Sequence, residues 1–228
     1  MCAVKAVGFD LDGTLFLTHV NYDRLRVADR AVAERHNIPF IEIYGPKPEV
    51  YRLRRPIENW LNEHGRGSEY PAISREIDDL SLEIEEEFLF EAATYPRSVE
   101  CISILKSKGL KVGLLSRGGR HYAESVLKKF GIFEEMDAVV GRDHTCYDNA
   151  KPSPVAMIEF ADELGVRPEE ILYLGDNFTD YLSATGAGAT FVGVLSGAVK
   201  ADGWRSKDPA IRTVNYAGDV VDIIDDYL

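Results

Sequence analysis

Short apolar runs alternate with amphipathic segments along most of the chain. The runs are typical of buried β-strands, whereas the segments between them repeat apolar residues at helical spacing. The predicted strands are Ala3–Phe9, Lys111–Leu115, Ala138–Val140, Ile171–Leu174 and Thr190–Val194. The predicted helices are Val99–Lys108, Tyr122–Phe130, Val155–Leu164 and Tyr181–Thr185. This alternation predicts an α/β fold, a doubly wound parallel sheet covered by helices.

Residues 16–94 break this alternation because they are rich in charge and in helical periodicity, with few candidate strands. Glycine and proline interrupt the segment and indicate several helices joined by turns. We therefore predict a helical domain at 16–94, inserted after the first strand into a core built from 1–15 and 95–228. The acidic C-terminal segment, 219–228, predicts a further helix with its apolar side chains turned inward.

The composition is that of a folded globular protein, with 45% hydrophobic and 28% charged residues in a chain of 228. A formal net charge of -12 works against binding to nucleic acid polymers or anionic membranes. An anionic substrate would need a local basic pocket. No apolar stretch approaches the ~20 residues that span a bilayer, and the chain enters a strand almost at once, so neither membrane insertion nor secretion is expected.

Three cysteines, Cys2, Cys101 and Cys146, are too few and too scattered for a disulfide framework or a zinc ribbon. An odd number of cysteines without a CxxC pair fits the reducing cytoplasm, which is the expected location.

The candidate chemistry begins with two carboxylates at the end of the first predicted strand. Asp10 and Asp12 lie two residues apart and can therefore project to the same side, and Gly13 permits a sharp exit from the strand. Such a pair repels itself unless a cation intervenes. A calcium loop is excluded, because Leu15 and Asn21 occupy the positions that would require glycine and glutamate.

Four motifs in order resemble those of the haloacid dehalogenase-like superfamily, in particular its phosphoglycolate phosphatase-like branch with a helical cap. They are Asp10-Leu11-Asp12-Gly13-Thr14, then Ser116 after Val112-Gly113-Leu114-Leu115, then Lys151-Pro152, then Gly175-Asp176-Asn177-Phe178-Thr179-Asp180. The resemblance covers the whole core and leaves the inserted segment as the cap. It implies a Rossmann-like core and a phosphoric monoester hydrolase.

The resemblance also implies roles for these residues. Asp10 would attack phosphorus to form an aspartyl phosphate, and Asp12 would act as general acid and then as general base. Mg²⁺ is the implied cofactor, because carboxylate oxygens beside phosphate favour it. Its ligands would be Asp10, the backbone carbonyl of Asp12, Asp176 and Asp180, the last as a ligand or as support. Ser116 and Lys151 would bind the phosphoryl oxygens.

Two groups of arginines are further candidates for binding an anion. Arg117 follows Ser116 where many relatives have asparagine, so it is assigned to the substrate phosphate, with a solvent-facing side chain as the alternative. Arg52, Arg54 and Arg55 form the densest basic cluster of the chain. They could face an acidic substrate, but a solvated surface is the favoured interpretation.

The predicted function is hydrolysis of a small-molecule phosphate monoester by a monomer or homodimer. A phosphomutase of the same superfamily is the first alternative, since it differs only in the acceptor. Alternatives from other classes are a signalling receiver domain and a non-catalytic binding module. A receiver places its phosphoacceptor after a middle strand and lacks a large insert, and the full set of carboxylates argues against a silent module. The sequence leaves the phosphate ester unidentified.

Overall fold

The computed structural model describes residues 3–46 and 54–228, and the chain divides into two compact units. The first contains 1–18 and 91–228, and the second contains 19–90. The strands are β1 (Ala6–Phe9), β2 (Phe16–Leu17), β3 (Ala93–Thr94), β4 (Lys111–Leu115), β5 (Ala138–Val140), β6 (Ile171–Gly175), β7 (Thr190–Val194) and β8 (Arg212–Val214). The helices are α1 (Tyr22–Arg35), α2 (Phe40–Tyr44), α3 (Arg55–Glu63), α4 (Tyr70–Glu86), α5 (Glu100–Ser107), α6 (Arg120–Lys129), α7 (Pro154–Leu164), α8 (Phe178–Gly186) and α9 (Ala201–Lys207).

The first unit is built on a parallel sheet of six strands in the order β5-β4-β1-β6-β7-β8. The chain runs outward from β1 through β4 to β5, then returns to the other side of β1 and continues through β6 to β8. This reversal beside β1 is a topological switch point, the place where open α/β sheets bind ligands. The predicted α/β fold with a doubly wound parallel sheet is confirmed.

The strands are buried on both sides because apolar helices pack against them. Gly8 of β1 and Gly113 of β4 are paired in register. A Cβ on either glycine would approach the ring of Phe160, on α7, to 2.6 or 2.7 Å. The two glycines therefore let an aromatic side chain lie directly against the centre of the sheet, and this close packing fixes the strands whose ends carry the candidate site.

The second unit, described at 19–46 and 54–90, contains α1 to α4 around a small apolar core of its own. That core is formed by Val32, Ala33, Ile38, Phe40, Ile57, Leu61, Ile73 and Ile77. Helical spacing of these residues explains the apolar periodicity of the segment. None of the helices in the described residues has both the length and the apolar character needed to cross a membrane.

The C-terminal segment differs from the sequence prediction. The chain after Val194 forms α9 and the edge strand β8, neither of which was predicted, and then two 3-10 turns, Ala217–Asp222 and Ile224–Asp226, in place of a terminal helix. Only Val220 and Ile224 of the expected inward face are buried, whereas Leu228 is 53% exposed. Aspartates in this segment bind Arg97, Lys108 and Arg212, so side-chain ion pairs tie the segment to the core instead of a continuous helical face.

Candidate active site

Three neighbouring strands bring the candidate residues to one edge of the sheet. Asp10 directly follows β1, Ser116 follows β4 and Asp176 follows β6. The strands are parallel and adjacent, so their carboxyl ends coincide at the switch point. The Asp10 amide extends this pairing by donating to the Leu174 carbonyl at 2.9 Å.

Lys151 connects two of the candidate carboxylates. Its side chain is 1% exposed, and its Nζ lies 2.6 Å from both Asp10 Oδ1 and Asp180 Oδ1. The same nitrogen donates to the Leu115 carbonyl at 2.8 Å and meets the Tyr173 hydroxyl at 2.9 Å. Burial would lower the pKa of Lys151, but the Asp10 and Asp180 carboxylates outweigh it and hold the pKa above its ordinary value.

Three carboxylates form a cluster that fits a divalent cation. Oxygens of Asp10, Asp176 and Asp180 lie within 4.8 Å of one another, and all three residues are buried. Burial raises the pKa of Asp10; Lys151 opposes the rise, and the other carboxyls add to it. Burial and Asp180 likewise raise the pKa of Asp176 to about 6. Buried oxygen ligands with excess negative charge are the donor set that Mg²⁺ or Ca²⁺ prefers.

The loop after β7 fixes Asp176. The Ala198 amide donates to Asp176 Oδ2, and the Val199 amide donates to the Asp176 carbonyl at 2.9 Å. A Cβ on Gly197 would lie 1.9 Å from Asp176 Oδ2, so only glycine leaves room for this carboxylate. Gly13, at φ +81°, faces the same oxygen. Two glycines from separate loops therefore enclose Asp176.

Asp180 has both oxygens engaged within the protein. Oδ1 contacts Lys151, and Oδ2 accepts the Asn177 amide at 3.1 Å. The Asn177 side chain in turn accepts a hydrogen bond from the Thr179 amide at 3.3 Å. Asn177 and Asp180 together form a capping box at the start of α8. The Asn177 side chain therefore caps the helix, and Asp180 is held in place as the partner of Lys151.

Asp12 is oriented by two hydroxyl groups. Its Oδ1 accepts from Thr18 Oγ1 at 2.6 Å and from the Tyr122 hydroxyl at 2.8 Å. Burial raises the pKa of Asp12, and these hydrogen bonds oppose the rise. The side chain is less buried than that of Asp10, which suits a group that exchanges protons.

Ser116 and Arg117 leave β4 in different environments. Ser116 is 2% exposed, and its Oγ accepts the Gly118 amide at 2.9 Å, which leaves the hydroxyl proton to donate. Arg117 is half-buried, and its guanidinium lies 5.7 Å from the centre of the Tyr147 ring and 3.4 Å from the Tyr147 hydroxyl. The structure therefore gives Arg117 a tyrosine partner in addition to its position beside Ser116.

The structure corrects, for one residue, the interpretation that the arginine cluster of the second unit is a solvated surface. Arg54 is 2% exposed, and its guanidinium binds Asp78 at 2.9 Å and the Ser74 hydroxyl at 3.2 Å. Its side chain therefore forms an ion pair inside the unit and is not solvated. Arg55 is exposed. Arg52 lies outside the described residues.

Sequence reasoning missed several side chains that complete the site. Tyr173 and Tyr122 each place a hydroxyl on a candidate residue. A signal for Tyr173 existed, because a tyrosine inside a fully apolar strand needs a buried partner for its hydroxyl. Tyr122 lies on a helix with ordinary apolar periodicity, and nothing local marks its hydroxyl. Gly197 follows β7, and a glycine after a strand at this edge was a readable signal.

Comparison with known proteins relates this sequence to a family. The family model of haloacid dehalogenase-like hydrolases matches residues 4–188. N-acetylmuramic acid 6-phosphate phosphatase of Pseudomonas aeruginosa is 23% identical over 231 residues, which cover 97% of this chain and 95% of that protein. Phosphoglycolate phosphatase of Escherichia coli strain K12 is 29% identical over 115 residues, which cover 50% of this chain and 44% of that protein.

Solved structures show the same fold. The crystal structure of a hydrolase from Pseudomonas syringae aligns with a TM-score of 0.64 at 23% identity, covering 97% of this chain and 98% of that one. A haloacid dehalogenase-superfamily hydrolase from Ehrlichia chaffeensis aligns with a TM-score of 0.58 at 18% identity, covering 100% and 98%. At these identities the likeness is one of fold.

Proposed function

The chain belongs to the haloacid dehalogenase-like hydrolases, and on that premise we propose that it is a Mg²⁺-dependent phosphatase acting on a small-molecule phosphate monoester through a phosphorylated Asp10. One observation carries the proposal. A buried lysine bridges Asp10 and Asp180 at 2.6 Å each, at the edge of the sheet where Ser116 and Asp176 also lie. A nucleophile, the ammonium of a lysine and a hydroxyl donor thus lie at one edge of the sheet.

The charge balance supports a metal cofactor. Asp10, Asp12, Asp176 and Asp180 influence one another electrostatically, and Lys151 supplies a single positive charge among them. Asp10, Asp176 and the Asp12 carbonyl would hold Mg²⁺, with Asp180 as a ligand or as support; its engagement by Lys151 and Asn177 favours support. When bound, Mg²⁺ supplies neutralisation of the charge that accumulates between carboxylate and phosphate.

The nucleophilic step belongs to Asp10. Lys151 occupies Oδ1 and thereby directs Oδ2 toward the substrate. Attack by Oδ2 forms its bond to phosphorus as the bond from phosphorus to the ester oxygen breaks. The Ser116 hydroxyl donates to the phosphoryl oxygens and the Lys151 ammonium lends them its positive charge, because both groups are fixed before the reaction begins. Arg117 is the third candidate for these oxygens.

Asp12 moves the protons. As a general acid it protonates the departing ester oxygen, and as a general base it then takes a proton from the water that attacks the phosphorylated Asp10. Its raised pKa suits the acid role, because burial makes this carboxyl group hold its proton more tightly than an exposed aspartic acid does.

The helical unit at 19–90 is proposed to act as the cap that selects the substrate. We propose a small phosphorylated metabolite, since the relatives that match are named for N-acetylmuramic acid 6-phosphate and phosphoglycolate. The first of these relatives matches along almost its whole length, so its substrate comes first in any assay. The cysteine pattern supports a location in the reducing cytoplasm. We propose that the protein is a monomer or a homodimer.

A panel of phosphate esters tests the proposed function. The metal-free enzyme, prepared with a chelator, is expected to be inactive, and added Mg²⁺ is expected to restore release of inorganic phosphate from at least one ester. The panel begins with N-acetylmuramic acid 6-phosphate and phosphoglycolate. Transfer of phosphate to a sugar without release would favour the phosphomutase, and full activity in the chelator would contradict the metal requirement.

Metal binding should depend on pH through Asp176. Its pKa of about 6 means that the carboxyl is mostly protonated below that pH, and a ligand must lose its proton to bind. The affinity for Mg²⁺ is therefore expected to fall about tenfold from about pH 7 to about pH 5, with proton release on binding. Calorimetry in two buffers of different ionisation enthalpy measures both. Asp176→Asn is the control, expected to bind weakly and with a shallower slope, because Asp10, whose pKa is also raised, still has to lose its proton.

A further inference from the structure

Two hydroxyl groups meet the same oxygen of Asp12. Thr18 Oγ1 lies 2.6 Å from Asp12 Oδ1, and the Tyr122 hydroxyl lies 2.8 Å from it. Thr18 follows β2 and Tyr122 lies in the first half of α6, so the two donors reach the carboxyl from different parts of the first unit.

This arrangement makes the two oxygens of Asp12 unequal. A carboxylate oxygen has two lone pairs, and two hydroxyl donors use both of those on Oδ1. In the described part of the chain no hydrogen bond reaches Oδ2. The proton that Asp12 exchanges must therefore reside on Oδ2, and rotation of the carboxyl group would break both hydrogen bonds at once.

The ring of Tyr122 is buried and closely packed, which limits the movement of its hydroxyl group. The side chain is 1% exposed. The ring packs closely over Gly118, where a Cβ would lie 2.8 Å from it, and Gly118 in turn donates to Ser116. The same packing thus fixes the hydroxyl that orients Asp12 and the turn that carries Ser116.

We propose that Tyr122 is a positioning residue that locks the rotation of the Asp12 carboxyl group, with Thr18 as the second donor, so that Oδ2 faces the ester oxygen. This inference rests on the proposed function. In the first step the proton on Oδ2 passes to the ester oxygen as its bond to phosphorus breaks and the bond from Asp10 to phosphorus forms. In the second step the water oxygen bonds to phosphorus, its proton passes to Oδ2, and the bond between Asp10 and phosphorus breaks, which releases phosphate.

The inference predicts a specific kinetic defect in Tyr122→Phe. Protonation of the leaving group matters most when that group is a poor one, such as an alkoxide, and least when it is a nitrophenolate. For Tyr122→Phe we expect kcat/KM to fall about tenfold for esters with the poorest leaving groups and less than about twofold for those with the best. The measurement is the slope of log kcat/KM against leaving-group pKa over a series of alkyl and aryl phosphates.

Two further variants complete the test. Tyr181→Phe removes a hydroxyl whose partner, Asp208, is 3.4 Å away and outside the site, so its slope should equal that of the wild type. Thr18→Val removes the other donor to Oδ1 and should steepen the slope as Tyr122→Phe does. It also serves as the test if Tyr122→Phe does not fold, which a thermal melt of each variant establishes.

The outcomes separate the inference from the proposed function. A steeper slope with an unchanged melting temperature supports the positioning role. An unchanged slope in both variants, or an equal loss for every ester, overturns that role while leaving the phosphatase intact. A wild-type enzyme that hydrolyses no phosphate ester overturns both.

Discussion

Asp10→Asn is expected to abolish turnover, lowering kcat by about 10³-fold or more. The amide is a far weaker nucleophile than the carboxylate, and it also removes the charge that Lys151 meets at 2.6 Å. The variant should remain folded, because Lys151 keeps its bonds to Asp180 and to the Leu115 carbonyl. Steady-state release of phosphate, measured alongside a thermal melt, separates lost chemistry from lost structure.

Asp137→Asn is the matched control for this substitution. Asp137 also pairs with a lysine, Lys106, at 2.9 Å, but it precedes β5 and lies outside the site. We expect nearly unchanged kcat in the control. Phosphatase activity that survives Asp10→Asn would remove Asp10 from the mechanism.

Lys151→Met is expected to cost both stability and activity. Methionine fills a similar volume but leaves the buried carboxylates of Asp10 and Asp180 without their cation. Breaking a buried ion pair from one side typically lowers the free energy of unfolding by about 3–5 kcal/mol. The loss of the positive charge beside the phosphoryl oxygens should lower kcat by about 10²-fold or more. Denaturant unfolding and phosphate release measure the two effects.

Added Mg²⁺ refines this prediction, because a bound metal ion can offset part of the negative charge that the missing lysine leaves uncompensated. The unfolding free energy of Lys151→Met should therefore rise more with Mg²⁺ than that of the wild type. Lys111→Met is the control, since Lys111 donates to a backbone carbonyl, that of Leu164, rather than to a carboxylate. Equal stability of the Lys151 variant and the wild type would contradict the charge balance described for the site.

The sheet was predictable because each buried strand is a short apolar run bounded by polar residues. Lys111–Leu115, Ala138–Val140 and Thr190–Val194 have the predicted bounds. Strand β8 was not predictable in this way, because Arg212-Thr213-Val214 lies at the edge of the sheet and keeps polar, exposed positions. The prediction of a terminal helix was wrong, because the acidic residues of this segment pair with Arg97 and Lys108 from other elements.

The residues of the site were predictable from motif order, but their connections were not. Parallel strands bring Asp10, Ser116 and Asp176 to one edge whatever their separation along the chain. The contacts of Lys151 and the orientation of Asp12 depend on distant side chains, among them Tyr173 and Tyr122, that no local pattern connects. The roles assigned to these residues are predictions, and the kinetics of the variants test them.

Trapping the intermediate tests the phosphorylated aspartate most directly. The enzyme, turning over a substrate with Mg²⁺, is quenched in acid and reduced with borohydride, which converts an aspartyl phosphate to homoserine. Tandem mass spectrometry of the peptide that contains Asp10 then locates the product. We predict homoserine at residue 10 in the wild type and none in Asp10→Asn. Homoserine at another aspartate, or none anywhere during active turnover, would contradict nucleophilic attack by Asp10.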